Sequence, residues 1–190
     1  MKDFNNPNFI CATAKDFLEK SSIGAKKTYT AEFKPDLASL GQLAFPMVTL
    51  AFSMELAIKG LLKHKHIKFP GKHDLKTLFY LLPDLLQKEI ISHYSSHDEF
   101  NGYLNMYLKL GDKNNPEKPK PLPNKDEQTI EKHVEELLDK HNNSFVDFRY
   151  LHEFGIKNQE LAMNYNLLAN LSFSIISTLA KEIGYPILNS

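Results

Sequence analysis

Arginine is almost missing from this chain. Of its 23 basic side chains Arg149 is the only arginine, set in the aromatic and acidic stretch "SFVDFRYLHEFG" at 144–155. Cysteine is as scarce: Cys11 stands alone, so no intrachain disulfide can form and a paired-cysteine metal site is excluded. Net charge is absent too, with 23 acids against 23 bases, so any anion binding must come from a local patch. The start, "MKDFNNPNFI", lacks the basic segment and apolar core of a secretory signal. The most apolar C-terminal run, "LLANLSFSIISTLA", is interrupted by Asn170, Ser172, Ser174, Ser177 and Thr178 and is shorter than the roughly 20 apolar residues of a spanning helix. Together these absences predict a cytoplasmic protein with no membrane segment. No phosphate-cradling glycine loop is present, since "SLGQLAF" lacks the lysine and the spacing. Ser53 and Ser144 lack a glycine-rich elbow and Cys11 has no nearby base, so no nucleophile can be assigned.

What is present is a helical sequence of 190 residues, enough for one well-filled domain spanning 1–190. Leu, Ala, Lys and Glu dominate, and most prolines fall at segment edges. The pattern predicts helices from Asn8 to about Ser22 and from Asp36 to about His66, with a kink or break at Pro46. Between them "KKTYTAEFKPD" reads as a connector, and "KFPG" as the end of the second helix. "HDLKTLFYLL" opens a short helix, with Asp74 or His73 at its start, and Pro83 closes it and begins the next. "EFNGYLNMYLKL" (99–110) is a further aromatic and apolar segment. Residues 111–125, rich in proline and poor in large apolar side chains, predict a flexible surface loop. An acidic amphipathic helix follows in 126–143, and a long final helix runs from about Asn158 to Ile183. No run alternates long enough for a strand. The fold class expected is all-α: a bundle of four to five main helices with extra short ones.

Charge is unevenly spread. Residues 1–82 hold 12 lysines against 7 acids, and residues 83–190 hold 11 basic side chains against 16 acids. The segment "KHKHIKFPGKHDLK" (63–76) carries five lysines and three histidines against one acid. It is either a solvated helix end or a phosphate-collecting patch, in which Lys63, Lys72 and His73 would take part. His93 and His97, one helical turn apart, are a possible metal pair without a third ligand, and no metal or cofactor is expected. His64 and His66 point to different sides of a helix.

Three segments belong together. "AFSMELAIKGLLKHK" (51–65) sets Glu55 four residues before Lys59, the favourable order for an ion pair on one helix face. "GKHDLKTLFYLLP" (71–83) and "FVDFRYLHE" (145–153) follow. This order of E-x-x-x-K, then H-D-L opening a helix, then an aromatic-flanked R-Y before a glutamate, resembles the HEPN superfamily over roughly 45–180. Those proteins are helical bundles of bacterial and archaeal defence and toxin systems, also found as nucleotide-associated modules. The resemblance implies an antiparallel bundle that homodimerises, binds RNA or nucleotide, or an antitoxin-like partner protein, and has its site near Arg149.

Catalytic members are metal-independent ribonucleases whose motif is arginine, four to six residues, then histidine. Here His152 follows Arg149 after only Tyr150 and Leu151, and the positions for the family histidine read Phe154, Gly155 and Ile156. The resemblance therefore implies a module of a defence, toxin–antitoxin or stress system without efficient catalysis. The alternative is a ribonuclease pairing Arg149 with His152 or with a distant histidine, His73 or His141. A third is a purely structural or interaction module. Arg149 itself has two readings: a clamp on Glu55, Glu153 or Asp147, whose bidentate geometry lysine cannot reproduce, or, with Tyr150 and Lys59, a ligand contact.

Overall fold

The structure, a computed structural model, describes residues 6–29, 37–96, 105–110, 129–145 and 159–186, with side chains described for 6–25, 44–96, 129–145 and 164–186. The fold is all-α. Its helices are α1 (Pro7–Tyr29), α2 (Leu37–His64), α3 (Leu75–Tyr80), α4 (Asp84–Ser96), α5 (Ile130–Lys140) and α6 (Tyr165–Ile183). These six alone hold more than half of the 190 residues, and only α3, at six residues, is short.

Local chemistry explains most of the helix ends. Pro7 occupies the first turn of α1, where a missing N–H costs nothing, and Asn6 Oδ1 accepts the Asn8 N–H at 2.9 Å. Asp74 caps α3 by accepting the Thr77 N–H at 2.7 Å, and Thr129 caps α5 through the Lys132 N–H at 3.4 Å. Ahead of α4, the Pro83 carbonyl accepts from Leu86 and Gln87. At the far end of α2, His66 takes a left-handed backbone at φ 57°, and the Ile67 N–H reaches back to the Leu62 carbonyl at 2.8 Å. The same closure ends α6 at Gly184.

The core lies where α1, α2 and α6 meet. Met47, Leu50, Met54, Ile58 and Leu61 of α2 are fully buried, as are Leu168, Leu171, Ile175 and Leu179 of α6. Gly60 sets their distance: a Cβ there would lie 2.9 Å from Leu179 and 3.0 Å from Ile10, so α1 and α6 approach α2 closely. By length and composition Ala44–His64 could cross a membrane, yet 72% of that window is buried inside the fold, as a core helix requires. Buried serine hydroxyls inside this core are paired. The Ser53 hydroxyl donates to the Ala14 carbonyl at 2.7 Å, and Ser21 donates to the Pro46 carbonyl while accepting from the Tyr165 hydroxyl at 2.8 Å.

Several boundaries depart from the sequence reading. Helix α1 runs on to Tyr29, so the first four residues of "KKTYTAEFKPD" are helical, continuing a face that buries Ser21 and Ala25. Helix α2 passes through Pro46 without a break. A Cβ at Gly24 would lie 3.3 Å from the Pro46 ring, so the neighbouring helix leaves room for that ring. Helix α2 also stops at His64, ahead of "KFPG".

The largest departure is a two-stranded antiparallel ribbon of β1 (Asn105–Leu110) and β2 (Gln159–Asn164), the one sheet among the described residues. Its register places Met106 opposite Met163, Leu108 opposite Leu161 and Lys109 opposite Glu160. The final helix consequently begins at Tyr165 rather than Asn158. Backbone pairing between segments about fifty residues apart has outcompeted the helical preference of "QELAMN", a choice that local propensity does not encode. Residues 111–125, the expected loop, lie outside the described residues.

Candidate functional site

Glu55 and Lys59 occupy one face of α2, and the pairing expected from their spacing is present, with Lys59 Nζ 2.6 Å from Glu55 Oε1. The Glu55 side chain is only 3% exposed and that of Lys59 21%, so the pair is largely withdrawn from water. A buried carboxylate needs more than one donor. His73, from the loop ahead of α3, supplies the second: its Nδ1 lies 2.9 Å from Glu55 Oε2 and 3.0 Å from Oε1. A carboxylate only accepts, so Nδ1 carries the hydrogen. Nε2 is left as acceptor in the neutral ring or donor in the imidazolium. The His73 side chain is 44% exposed, unlike its partner.

Three kinds of contact hold that loop. The Lys76 N–H donates to Asn142 Oδ1 at 2.8 Å, and the Leu75 N–H to the Asn142 carbonyl at 3.3 Å, tying α3 to the segment after α5. Lys76 Nζ also reaches Asp139 at 3.0 Å. The third contact is aromatic: Phe145 stacks on the His73 ring at 4.9 Å, and Phe52 of α2 stacks on Phe145 at 5.4 Å. The Lys59 ammonium lies 5.9 Å from the Phe69 ring centre, a further restraint on its position.

Of the residues singled out in the sequence, Glu55, Lys59 and His73 are brought together. Lys63 lies one turn beyond Lys59 on α2, and exposed Lys72 adjoins His73. Arg149, Tyr150, His152, Glu153 and Asp147 lie outside the described residues, as does the proposed clamp. Both Glu55 oxygens have donors among the described residues, in Lys59 and His73. Phe145 opens the segment "FVDFRYLHE", but that it and Asn142 steady His73 had no signal in the sequence, because nothing local links them to a loop some seventy residues earlier.

His141 is a correction. It was a candidate partner for catalysis, yet it is fully buried between Ser144, 2.8 Å from Nδ1, and Asn164 Oδ1, 3.3 Å from Nε2. Burial lowers its pKa to about 4, against the hydrogen bond that Nε2–H donates to Asn164 Oδ1, which favours the charged ring, and with a further lowering from Lys140. A neutral, enclosed imidazole cannot meet a substrate. Ser144 is enclosed with it. Burial likewise pushes the Cys11 thiol up to about 11, with Lys15 opposing weakly, so it is no nucleophile. His93 Nδ1 is engaged by Ser174 Oγ at 3.1 Å, and His97 lies outside the described residues. Among the described residues no three His, Cys, Asp or Glu side chains are grouped to hold a metal ion.

The arrangement offers a half-exposed imidazole, pinned through one nitrogen by a buried carboxylate and bordered by lysines. It can donate to or accept from a bound oxygen, and its ring presents a flat surface. Comparisons with protein-family models, with curated proteins and with solved structures find no match to this chain.

Proposed function

We propose that this protein is a HEPN-like module of a prokaryotic defence, toxin–antitoxin or stress system that binds RNA or a nucleotide at the surface around His73. The observation that carries the reading is the Glu55–His73 pair, 2.9 Å apart, at the edge of the most basic segment of the chain. A carboxylate buried to 3% exposure and spent on orienting an exposed ring is costly unless that ring is used. Lys68 and Lys72, both exposed in the same loop, would supply phosphate attraction. Binding without efficient catalysis is the primary reading, since the arginine-to-histidine spacing of ribonucleases is missing.

A metal-independent endoribonuclease is the second reading, favoured by His73, the accessible one of the two distant histidines, His73 and His141: with Nδ1–H on Glu55, Nε2 can take and return a proton. One experiment addresses both. Labelled single-stranded RNA is titrated with wild-type protein and with Lys72→Ala/His73→Ala, at low and moderate salt, and the same samples are run on a denaturing gel. The expected result is salt-sensitive binding that weakens several-fold in the variant, with intact RNA. Cleavage lost in the variant would move the assignment to the second reading, and absence of binding at low salt would remove both.

The assembly proposed is a cytoplasmic homodimer. Ile23 of α1 and Phe45 of α2 are 56% and 60% exposed, the Phe45 ring lies against Gly24, the residue after Ile23, and leaving such side chains in water is unfavourable. Light scattering at micromolar concentration is expected to give twice 21.8 kDa, and a monomer mass would overturn it.

A further inference from the structure

We propose that the outer face of the His73 ring is a stacking platform for one base of a single-stranded RNA, a step that rests on the RNA-binding reading above. The basis is a column of rings rather than a charge. Phe17 of α1 meets Phe52 of α2 edge-on, with centroids 5.0 Å apart at 82°. Phe52 stacks on Phe145 at 5.4 Å and 30°, and Phe145 on His73 at 4.9 Å and 29°. Four separate segments of the chain contribute one ring each. The column starts on half-buried Phe17 and ends on a ring whose side chain is 44% exposed.

The residue type at its end is informative. The stretch around His73 supplies lysine at 63, 65, 68, 72 and 76, and a lysine could pair with Glu55 as Lys59 does. What a lysine lacks is a plane. Stacking on Phe145 and bonding through Nδ1 to Glu55 fix both the tilt and the rotation of that plane before any ligand arrives. A platform ordered in advance spares the ligand the cost of ordering it. Every base has a flat face, so such a platform accepts any sequence, and exposed Lys68 and Lys72 in the same loop would follow the phosphates.

The test needs no folding-sensitive variant at its first step. Wild-type protein is titrated with a short single-stranded RNA and with an abasic strand of equal length and phosphate count. The intact strand is expected to bind about tenfold more tightly, the range of one stacked base. A 2-aminopurine in the intact strand should lose fluorescence on binding. His73→Ala should abolish the preference for bases, and His73→Tyr should keep it, both judged against melting curves. Equal affinity for the two strands would overturn the platform and leave RNA binding standing. Failure of both strands to bind would overturn the two together. A His73→Ala protein that melts like wild type and still prefers the intact strand would also overturn the platform, since the ring responsible would lie elsewhere.

Discussion

Acidification from about pH 7 to about pH 4.5 is expected to remove roughly 2–3 kcal/mol of folding stability through His141 alone. The imidazole is fully buried, and burial holds it at about 4 against an ordinary 6.5. Folding therefore favours the neutral ring. The contribution is complete above the unfolded value of 6.5 and declines as pH falls from there toward 4. At about 1.4 kcal/mol per pH unit the whole window amounts to about 3 kcal/mol. The location makes the effect structural. His141 follows α5, and its Nε2 bonds Asn164 Oδ1 at the last residue of β2, directly ahead of α6. Charging the ring would loosen the junction of three elements. Carboxylates add their own acid dependence, so the comparison that isolates His141 is with His141→Gln, which keeps a donor and an acceptor but does not titrate. Urea unfolding at three pH values should show the variant losing about 2 kcal/mol less than wild type between neutral and about pH 4.5. Parallel profiles would refute the assignment.

Glu55→Gln is expected to cost about 2–3 kcal/mol, large for a change that preserves shape. The carboxylate is 3% exposed and accepts from Lys59 and His73 at once. An amide has one acceptor oxygen and an NH2 that only donates. With the oxygen on Lys59 the NH2 faces His73 Nδ1, which must give up its hydrogen and take the other tautomer, and the Lys59 charge loses its counter-charge. Removing one partner of a fully buried ion pair costs about 3–5 kcal/mol. Lys59, at 21% exposure, can still reach some water, which lowers the figure. Lys59→Met in the Glu55→Gln background should then cost clearly less than in wild type, because the stranded ammonium is gone. Additive penalties in this double-mutant cycle would show that the pair is not coupled. His73 should also be held less firmly in Glu55→Gln, with its bond to a carboxylate gone, so RNA affinity is expected to fall in protein that is still folded.

These residues show where sequence suffices. The sequence by itself determined the helical class and the Glu55–Lys59 pair, and narrowed the start of α3 to Asp74 or His73. All rest on chemistry within four residues: caps satisfy the first free N–H groups, and residues four apart share a helix face. It also marked His73, by its place among lysines, without revealing its partner.

Only the tertiary structure decided the rest. Helix α1 reaches Tyr29, beyond the end its pattern predicts, and Pro46 is accommodated because the neighbouring helix presents Gly24 to its ring. "QELAMN" becomes a strand because a distant segment pairs with it, although its composition favours helix. His141 and His73 are equivalent in sequence, each a histidine beside a lysine. Packing seals the first between Ser144 and Asn164 and leaves the second half exposed on Phe145. Burial depends on which segments meet across long loops, and no pattern confined to a few neighbouring residues carries that information.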